Sequence, residues 1–333
     1  MSKPMRVLFS LLLVLFVSAS VWLSFNAVSR PTYEYEEQEN IGGTELSGLV
    51  FSGFNGNKTT ADVRVYHPMI KNPDRESAED EAWVEDTTRN VVAIDRFTFV
   101  SDENMQYCYI GPDVQYIDEQ AFFGCFALRA IYVDEANPYF TDIDGVLYSK
   151  DMKTMYLYPT YHISHLQDTG VVPVGYYDDG KHVETFEVPE GVERIATGCF
   201  YKTWGIQQIT LPSTIKELGE MAFFRCQSLR LINLPDGLKK IGSDAFSYCF
   251  SMVGALYIPD TVEEIGHHAF YKCLDNGELK VYLGAESEED ILLGGRWLPK
   301  HDNKLKSIDA EFGKTRQEAD DYNKSIAVNE EVA

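Results

Sequence analysis

The sequence predicts a mostly β solenoid with one hairpin insertion and a cap at each end. Three observations predict it. An apolar motif recurs six times between Val91 and Leu283, at a near-constant spacing of 23 residues. Each copy ends in a short stretch of period-2 alternation, the pattern of a half-buried strand. Phenylalanine and cysteine fall at fixed places within the copies. Self-similarity at so short a period marks a coil whose units bury their apolar edges only by stacking on one another.

The chain of 333 residues opens with Lys3 and Arg6 ahead of an uncharged run from Val7 to Phe25. Such a run can cross a bilayer, and the flanking charges keep the N-terminus cytoplasmic. Val17 and Ala19 also offer a signal-peptide cleavage site after Ala19. Apolar residues continue through Val21, Trp22, Leu23 and Phe25, which favours an uncleaved anchor. Residues 1–29 are therefore read as a signal anchor or a signal peptide. Either way the remainder is expected to be exported, membrane-anchored at the cell surface through residues 7–25 or secreted if cleaved. Residues 30–44, beginning RPTYEYEEQEN, read as an acidic tether. Residues 45–90 read as an N-terminal cap region. In it ELSGLVFSGFNGNKTTADVRVYHP (45–68) suggests a hairpin closed by a Gly-Asn turn, followed by a polar loop or short helix over 71–90.

The solenoid is expected over 91–283, with units starting at Val91, Val114, Val192, Ile215, Leu238 and Val262. The steps are 23, except for 78 across an insertion and 24 where the fifth unit gains one residue. With each unit counted from zero, position 3 carries Ile94, Ile117, Ile195, Leu218, Ile241 and Ile265. Position 8 is Phe99, Phe122, Phe200, Phe223, Phe246 and Phe270. Position 7 is small. Positions 17 and 19 point inward from a short strand. Cys125, Cys226, Cys249 and Cys273 share position 11, Cys199 takes position 7 and Cys108 position 17. All six are apolar repeat sites, so they read as structural core, where free cysteine behaves as a small hydrophobe. An exported chain with six cysteines would normally suggest disulfides. Parallel stacked Cβ vectors suit that bond poorly, so a reduced ladder is expected, with one or two bridges as the alternative.

The insertion is placed at about 134–185, because Phe186 and Val188 lie 55 residues after Ile131 and Val133. Within it GVLYS and TMYLY flank Lys150–Lys153, the pattern of a hairpin that leaves the coil and returns. Residues 284–333 read as the C-terminal cap. Ser287 and Asp290 can open a short helix, KSIDAEFG (306–313) reads as a last strand, and Thr315 with Glu318 forms a capping box opening another helix.

The wording I-G-x-x-A-F-x-x-C-x-x-L-x-x-I-x-L-P, nearly complete in LGEMAFFRCQSLRLINLP (218–235) and IGSDAFSYCFSMVGALYIP (241–259), resembles the BspA-like leucine-rich repeat proteins. NPYFTDIDGVLYSKDMKTMYLYP (137–159) is similar to the hairpin insertion common in them. The resemblance covers roughly residues 90–325, with Asp102 standing where the first unit should have cysteine. It implies a right-handed leucine-rich repeat coil. It also implies a cell-surface or secreted scaffold, engaged in adhesion or protein binding, without common catalytic residues.

The formal net charge of −23 repels phosphate backbones, which excludes nucleic acid as a partner. Of the seven histidines, none lies in a metal-ligand motif. His162 and His165 sit in a strand-like or loop-like flank, and His267 and His268 occupy polar repeat positions. Asp142, Asp144 and Gly145 lack the later ligands of a calcium loop and read as a turn. No nucleophile elbow or phosphate loop occurs. The sequence thus predicts no catalytic residues, no metal and no cofactor. The candidate binding residues are the outward row at position 18: Tyr109, Tyr132, Glu187, Thr210, Asn233, Tyr257 and Lys280. The expected function is a non-enzymatic scaffold for an extracellular protein or glycan. A hydrolase or accessory site in the insertion, drawing on His162, His165 and the acids near Asp178, and a purely structural envelope role are the alternatives.

Overall fold

A computed structural model describes residues 32–55, 60–63, 69–71, 83–85, 90–100, 102–160, 184–203, 205–273, 279–298 and 309–330. The apolar run 7–25 and His67, His162, His165, His182 and His301 lie outside them.

The described chain is a β solenoid. One parallel ladder is made of two-residue strands at positions 2 and 3: Arg194–Ile195, Glu217–Leu218, Lys240–Ile241 and Glu264–Ile265. A second ladder is made of the alternating strands, as where Ile206–Thr210 pairs with Leu231–Ile232 and Gly254–Ile258 with Leu279–Leu283. The first ladder is so short because position 4 brings successive backbones together. An added Cβ at Gly219 would lie 2.7 Å from the backbone of Ala196, one at Gly242 2.5 Å from Gly219, and one at Gly266 2.3 Å from Ser243. The glycine in the repeat wording is there for that approach. Outside the ladder, opposite charges pair between neighbouring rungs. Lys216 bonds Glu193 at 2.6 Å, Lys239 bonds Glu263 at 2.8 Å and Lys240 reaches Glu264 at 3.2 Å.

The phenylalanines of position 8 stack through the interior. Ring centroids are 5.0 Å apart for Phe200 and Phe223, 5.1 Å for Phe223 and Phe246, and 5.2 Å for Phe246 and Phe270, with planes within 16°. Phe99 and Phe122 stack likewise at 4.9 Å. Each aromatic pair adds about 0.5–1.5 kcal/mol beyond its burial. At each end of the series a ring turns edge-on, Phe51 against Phe99 at 5.4 Å and Trp297 against Phe270 at 6.4 Å.

All six cysteines are buried and unbridged. Four of the thiols donate across the rungs to the carbonyl of the preceding phenylalanine: Cys125 to Phe99, Cys226 to Phe200, Cys249 to Phe223 and Cys273 to Phe246, at 2.9–3.0 Å. All four of those carbonyls, on Phe99, Phe200, Phe223 and Phe246, also accept a backbone N–H within their own turn. The sulfur therefore fills volume and meets a second lone pair. Burial pushes the Cys273 thiol up to about 12 and raises Cys125, Cys199, Cys226 and Cys249 as well.

Several expected boundaries move. The stretch 30–44 is not simply a tether, since Thr32–Gln38 is a strand antiparallel to Gly48–Asn55. It covers what would otherwise be the open edge of that sheet, and charge is compatible with an edge position. The hairpin expected in 45–68 does not form. Its two strands exist, but Gly48–Asn55 pairs in parallel with Val91–Ile94 and Thr60–Val63 with Tyr107–Ile110. They are two sides of one more rung, because the apolar edge of the Val91 unit competes successfully with the local turn. Within 71–90, Trp83–Glu85 pairs with Met69–Lys71. At the other end the coil runs past 283. Leu292–Leu293 extends the first ladder and Asp309–Glu311 the second, with Trp297 next to Phe270. The short helix after Ser287 is a 3-10 turn closed by the Ser287–Asp290 capping box.

The insertion does more than leave and return. Phe140–Ile143 and Val146–Ser149 form a hairpin whose turn, Asp144 and Gly145, has φ of 52° and 83°. Thr154–Leu157 then joins the first ladder beside Arg194–Ile195, and the Tyr158 ring stacks 5.2 Å from Phe200. The insertion thus supplies a substitute rung. It also divides the core into an N-terminal cluster around Phe99 and Phe122 and a C-terminal one running from Val146 to Leu298. Across the division, Arg194 grips both carboxylate oxygens of Glu119 at 2.5 and 3.0 Å, and Thr197 N–H donates to Glu119. Burial opposes ionisation of Glu119, but these bonds outweigh it and hold the carboxyl below its usual range.

Gly242→Ala is expected to cost about 1–3 kcal/mol in chemical denaturation, because the facing backbone cannot yield. Gly237→Ala, whose Cβ would meet nothing nearer than 3.6 Å, should be neutral or stabilise by up to about 1 kcal/mol. The buried thiols should ignore a water-soluble maleimide at pH 8.5 in the native protein and all react in denaturant. The folded pKa values of Cys125, Cys199, Cys226, Cys249 and Cys273 lie above the unfolded value of about 8.5, so the folded state binds more protons at high pH. Stability is therefore expected to be flat in this respect below pH 8 and to fall as pH rises towards about 12.

Candidate binding surface

The outward row divides into three parts with different surroundings. At the N-terminal end, Tyr109 and Tyr132 are half-buried and stack at 5.2 Å, with Tyr107 6.3 Å from Tyr132. The next strand in space is not Glu184–Glu187. Beside Ala130–Val133 lies the insertion hairpin, with Ile131 N–H donating to Gly145 O and Val133 N–H to Asp142. The row is interrupted there.

In the middle, Glu187 and Thr210 face each other on paired parallel strands, and Asn233 follows on the next; all three are exposed. Asn233 is committed, however. Its amide accepts from Leu211 N–H at 2.7 Å and donates to Leu211 O at 2.9 Å, extending the ladder where Leu231–Ile232 stops. Gln208 and Leu231, the latter 45% exposed, complete this open face.

At the C-terminal end the row is roofed. Helix α1 (Arg316–Glu330), opened by the Thr315–Glu318 capping box, packs on the outer side of Gly254–Ile258. The extra residue of the fifth unit causes the docking. Gly254, at φ 80°, breaks the register with Leu231–Ile232 and leaves the Ala255 backbone without its strand partner. Asn323 takes it over, accepting from Ala255 N–H at 2.7 Å and donating to Ala255 O at 3.1 Å. A side chain at residue 254 would strike Asn323 at 2.3 Å. Arg316 lies 4.7 Å over the Tyr257 ring and bonds Leu234 O and Asp236. Tyr257 is therefore half-buried rather than displayed.

Lys280 is not in register with Tyr257. Tyr257 pairs with Tyr282, and Lys280 pairs with Ala255, its ammonium 4.6 Å over Tyr322. The last unit is longer than its alignment suggested. A slip of two residues keeps every side chain on its own side of a strand, so alternation could not reveal it.

Between the open strands and α1 lies a cleft of about 350 Å³, lined by Thr210, Leu231, Asn233, Tyr257, Arg316 and Asn323 among others. The sequence carried the parts of this cleft but not their meeting, since Arg316 follows Asn233 by 83 residues. His267 and His268 sit elsewhere, their rings 3.8 Å apart at positions 5 and 6. Among the described residues no cluster of three or more histidine, cysteine or acidic side chains could hold a metal ion. Among them, too, no helix is long and apolar enough to cross a membrane.

The family model described as BspA type leucine rich repeat region matches in six copies, over residues 86–149 and 175–279. No curated protein matches the sequence. Solved structures with similarity include the pneumococcal vaccine antigen PcpA, at 17% identity and TM-score 0.48 over 72% of this chain and 58% of that one. A leucine rich cell surface protein from Faecalibacterium prausnitzii A2-165 is 24% identical, with TM-score 0.42 over 60% of this chain and 53% of that one. A leucine-rich repeat protein from Eubacterium ventriosum ATCC 27560 is 15% identical, with TM-score 0.41 over 84% and 98% of the two chains. The chain thus spans little over half the length of the first two.

Asn323→Ala should leave the Ala255 amide and carbonyl unpaired and loosen α1, at a cost of about 1–3 kcal/mol. Hydrogen exchange of the helix amides is expected to quicken roughly tenfold or more, while the rungs before Leu231 keep their protection.

Proposed function

The chain belongs to the BspA-type leucine-rich repeat family, and on that premise we propose that it is an exported repeat scaffold that binds a protein partner. The binding surface in this reading is the open strand face of Gln208, Thr210 and Leu231, continued into the cleft against α1. The observation that carries it is the cleft itself: an exposed aliphatic side chain, free strand-face polar groups and a rigid wall meet in about 350 Å³. Stacked parallel rungs hold such a face without loop motion, so little ordering entropy opposes binding. Export is supported by Lys3 and Arg6 ahead of the uncharged run 7–25, and the acidic surface suits a soluble, displayed domain. Tyr109 and Tyr132 lie beyond the insertion and would serve a separate or larger contact. Tyr257 and Lys280 act as supports for α1 rather than as contact residues.

The test is capture of extracellular proteins by the immobilised full-length chain, compared with the double variant Thr210→Arg, Leu231→Glu. The wild type should retain a discrete protein with at least roughly a tenfold preference over the variant, with both melting at the same temperature. Equal retention by the two would remove this face from the reading.

A further inference from the structure

After each buried phenylalanine the chain turns outward through positions 9 and 10, a segment distinct from the strand face. Position 9 carries Phe123, Tyr201, Phe224 and Tyr271, all half-buried. Phe123 stacks 4.7 Å from Tyr201, and Tyr201 5.4 Å from Phe224, with planes within 9°. In the fifth unit Ser247 replaces the ring, and Tyr248 one residue later stands edge-on to Phe224 and Tyr271 at 5.5 and 5.7 Å. In the stacked part the ring faces are spent on one another, and ring edges are the positive end of the aromatic quadrupole.

Position 10 adds cations. Lys202 lies 4.5 Å over Phe126, Arg225 5.0 Å over Tyr248, and Lys272 5.1 Å over Tyr248. Among the described residues none of the three has a carboxylate partner, whereas Lys216, Lys239 and Lys240 on the ladder are all paired. That is a marked placement in a chain with 52 acidic and 29 basic residues. It is also a strained one. Lys202, Arg225, Tyr248 and Lys272 have φ of 54°, 59°, 64° and 57°, in the left-handed region that Gly124 fills without strain at the same position of the second unit. Each non-glycine residue there costs about 1 kcal/mol, so the fold alone would favour glycine.

We propose that this ridge is a binding strip for a linear anionic polysaccharide, whose carboxylates meet Lys202, Arg225 and Lys272. The strip offers a single row of cations, at most one per rung, on a chain whose formal net charge is −23. That net charge repels a broad anionic partner such as a membrane or a duplex, whereas a single thin chain can follow the row of cations. The phenols of Tyr201, Tyr248 and Tyr271 add donors and acceptors suited to sugar hydroxyls. The proposal is independent of the protein-binding face.

The experiment is calorimetric titration of the full-length chain with hexagalacturonate at low salt. The wild type should bind, and Lys202→Gly, Arg225→Gly, Lys272→Gly combined should bind roughly tenfold more weakly or worse, with a melting temperature equal or higher because glycine relieves the strain. The charge-matched control Lys216→Gln, Lys239→Gln, Lys240→Gln should keep its affinity within about twofold. Thr210→Arg, Leu231→Glu should bind the sugar normally, which separates this result from the protein-binding one. Absence of wild-type binding, equal loss in the charge-matched control, or equal binding of the methyl-esterified oligomer would each overturn the proposal. Inorganic polyphosphate binding as tightly as the uronate would overturn the assignment to a sugar.

Discussion

Close approach of successive backbones is the constraint on which the rest of this molecule depends. Rungs stacked in parallel leave no room for a Cβ at Gly219, Gly242 or Gly266. Once that spacing is set, one phenylalanine per turn lies over the next at near ring-stacking distance. A cysteine per turn is then just close enough to bond the carbonyl of the turn before. Larger residues at these sites would force the turns apart and weaken every layer at once, since packed interiors yield little. A solenoid therefore concentrates its constraints in a few repeated positions and leaves the others free for surface chemistry.

A coil of this kind has two raw ends and, here, one internal break. All three are met with the same material. Phe51 and Trp297 close the ring stack edge-on, using aromatic residues outside the strict repeat. The insertion replaces a missing turn with Thr154–Leu157 and Tyr158, and the Glu119–Arg194 pair ties the two cores across it. Degenerate rungs are enough because a terminal unit needs to match its neighbour on one side only.

The surface positions divide by their neighbours. Ladder charges pair across neighbouring rungs and neutralise one another. The strand face is open in the middle, interrupted by the insertion on one side and roofed by α1 on the other. Among the described residues the ridge at positions 9 and 10 keeps its cations over aromatic rings without carboxylate partners, in a backbone conformation that glycine would occupy more easily. These are the places where sequence variation does not change the coil, so they are where binding specificity can be written.

By itself the sequence determined the solenoid, its period, the phenylalanine stack, the buried cysteines and the capping box of the last helix. These follow from local spacing, and spacing is what a sequence displays directly. Only the tertiary structure decided which strands pair at the ends, where α1 lies and which residues share the outer row. The row failed at Lys280 because a two-residue slip preserves inside and outside, so the alternation that found the strand carries no record of it. It failed at Tyr257 because the partner that covers it, Arg316, lies far along the chain, and no periodic pattern reaches a contact made once.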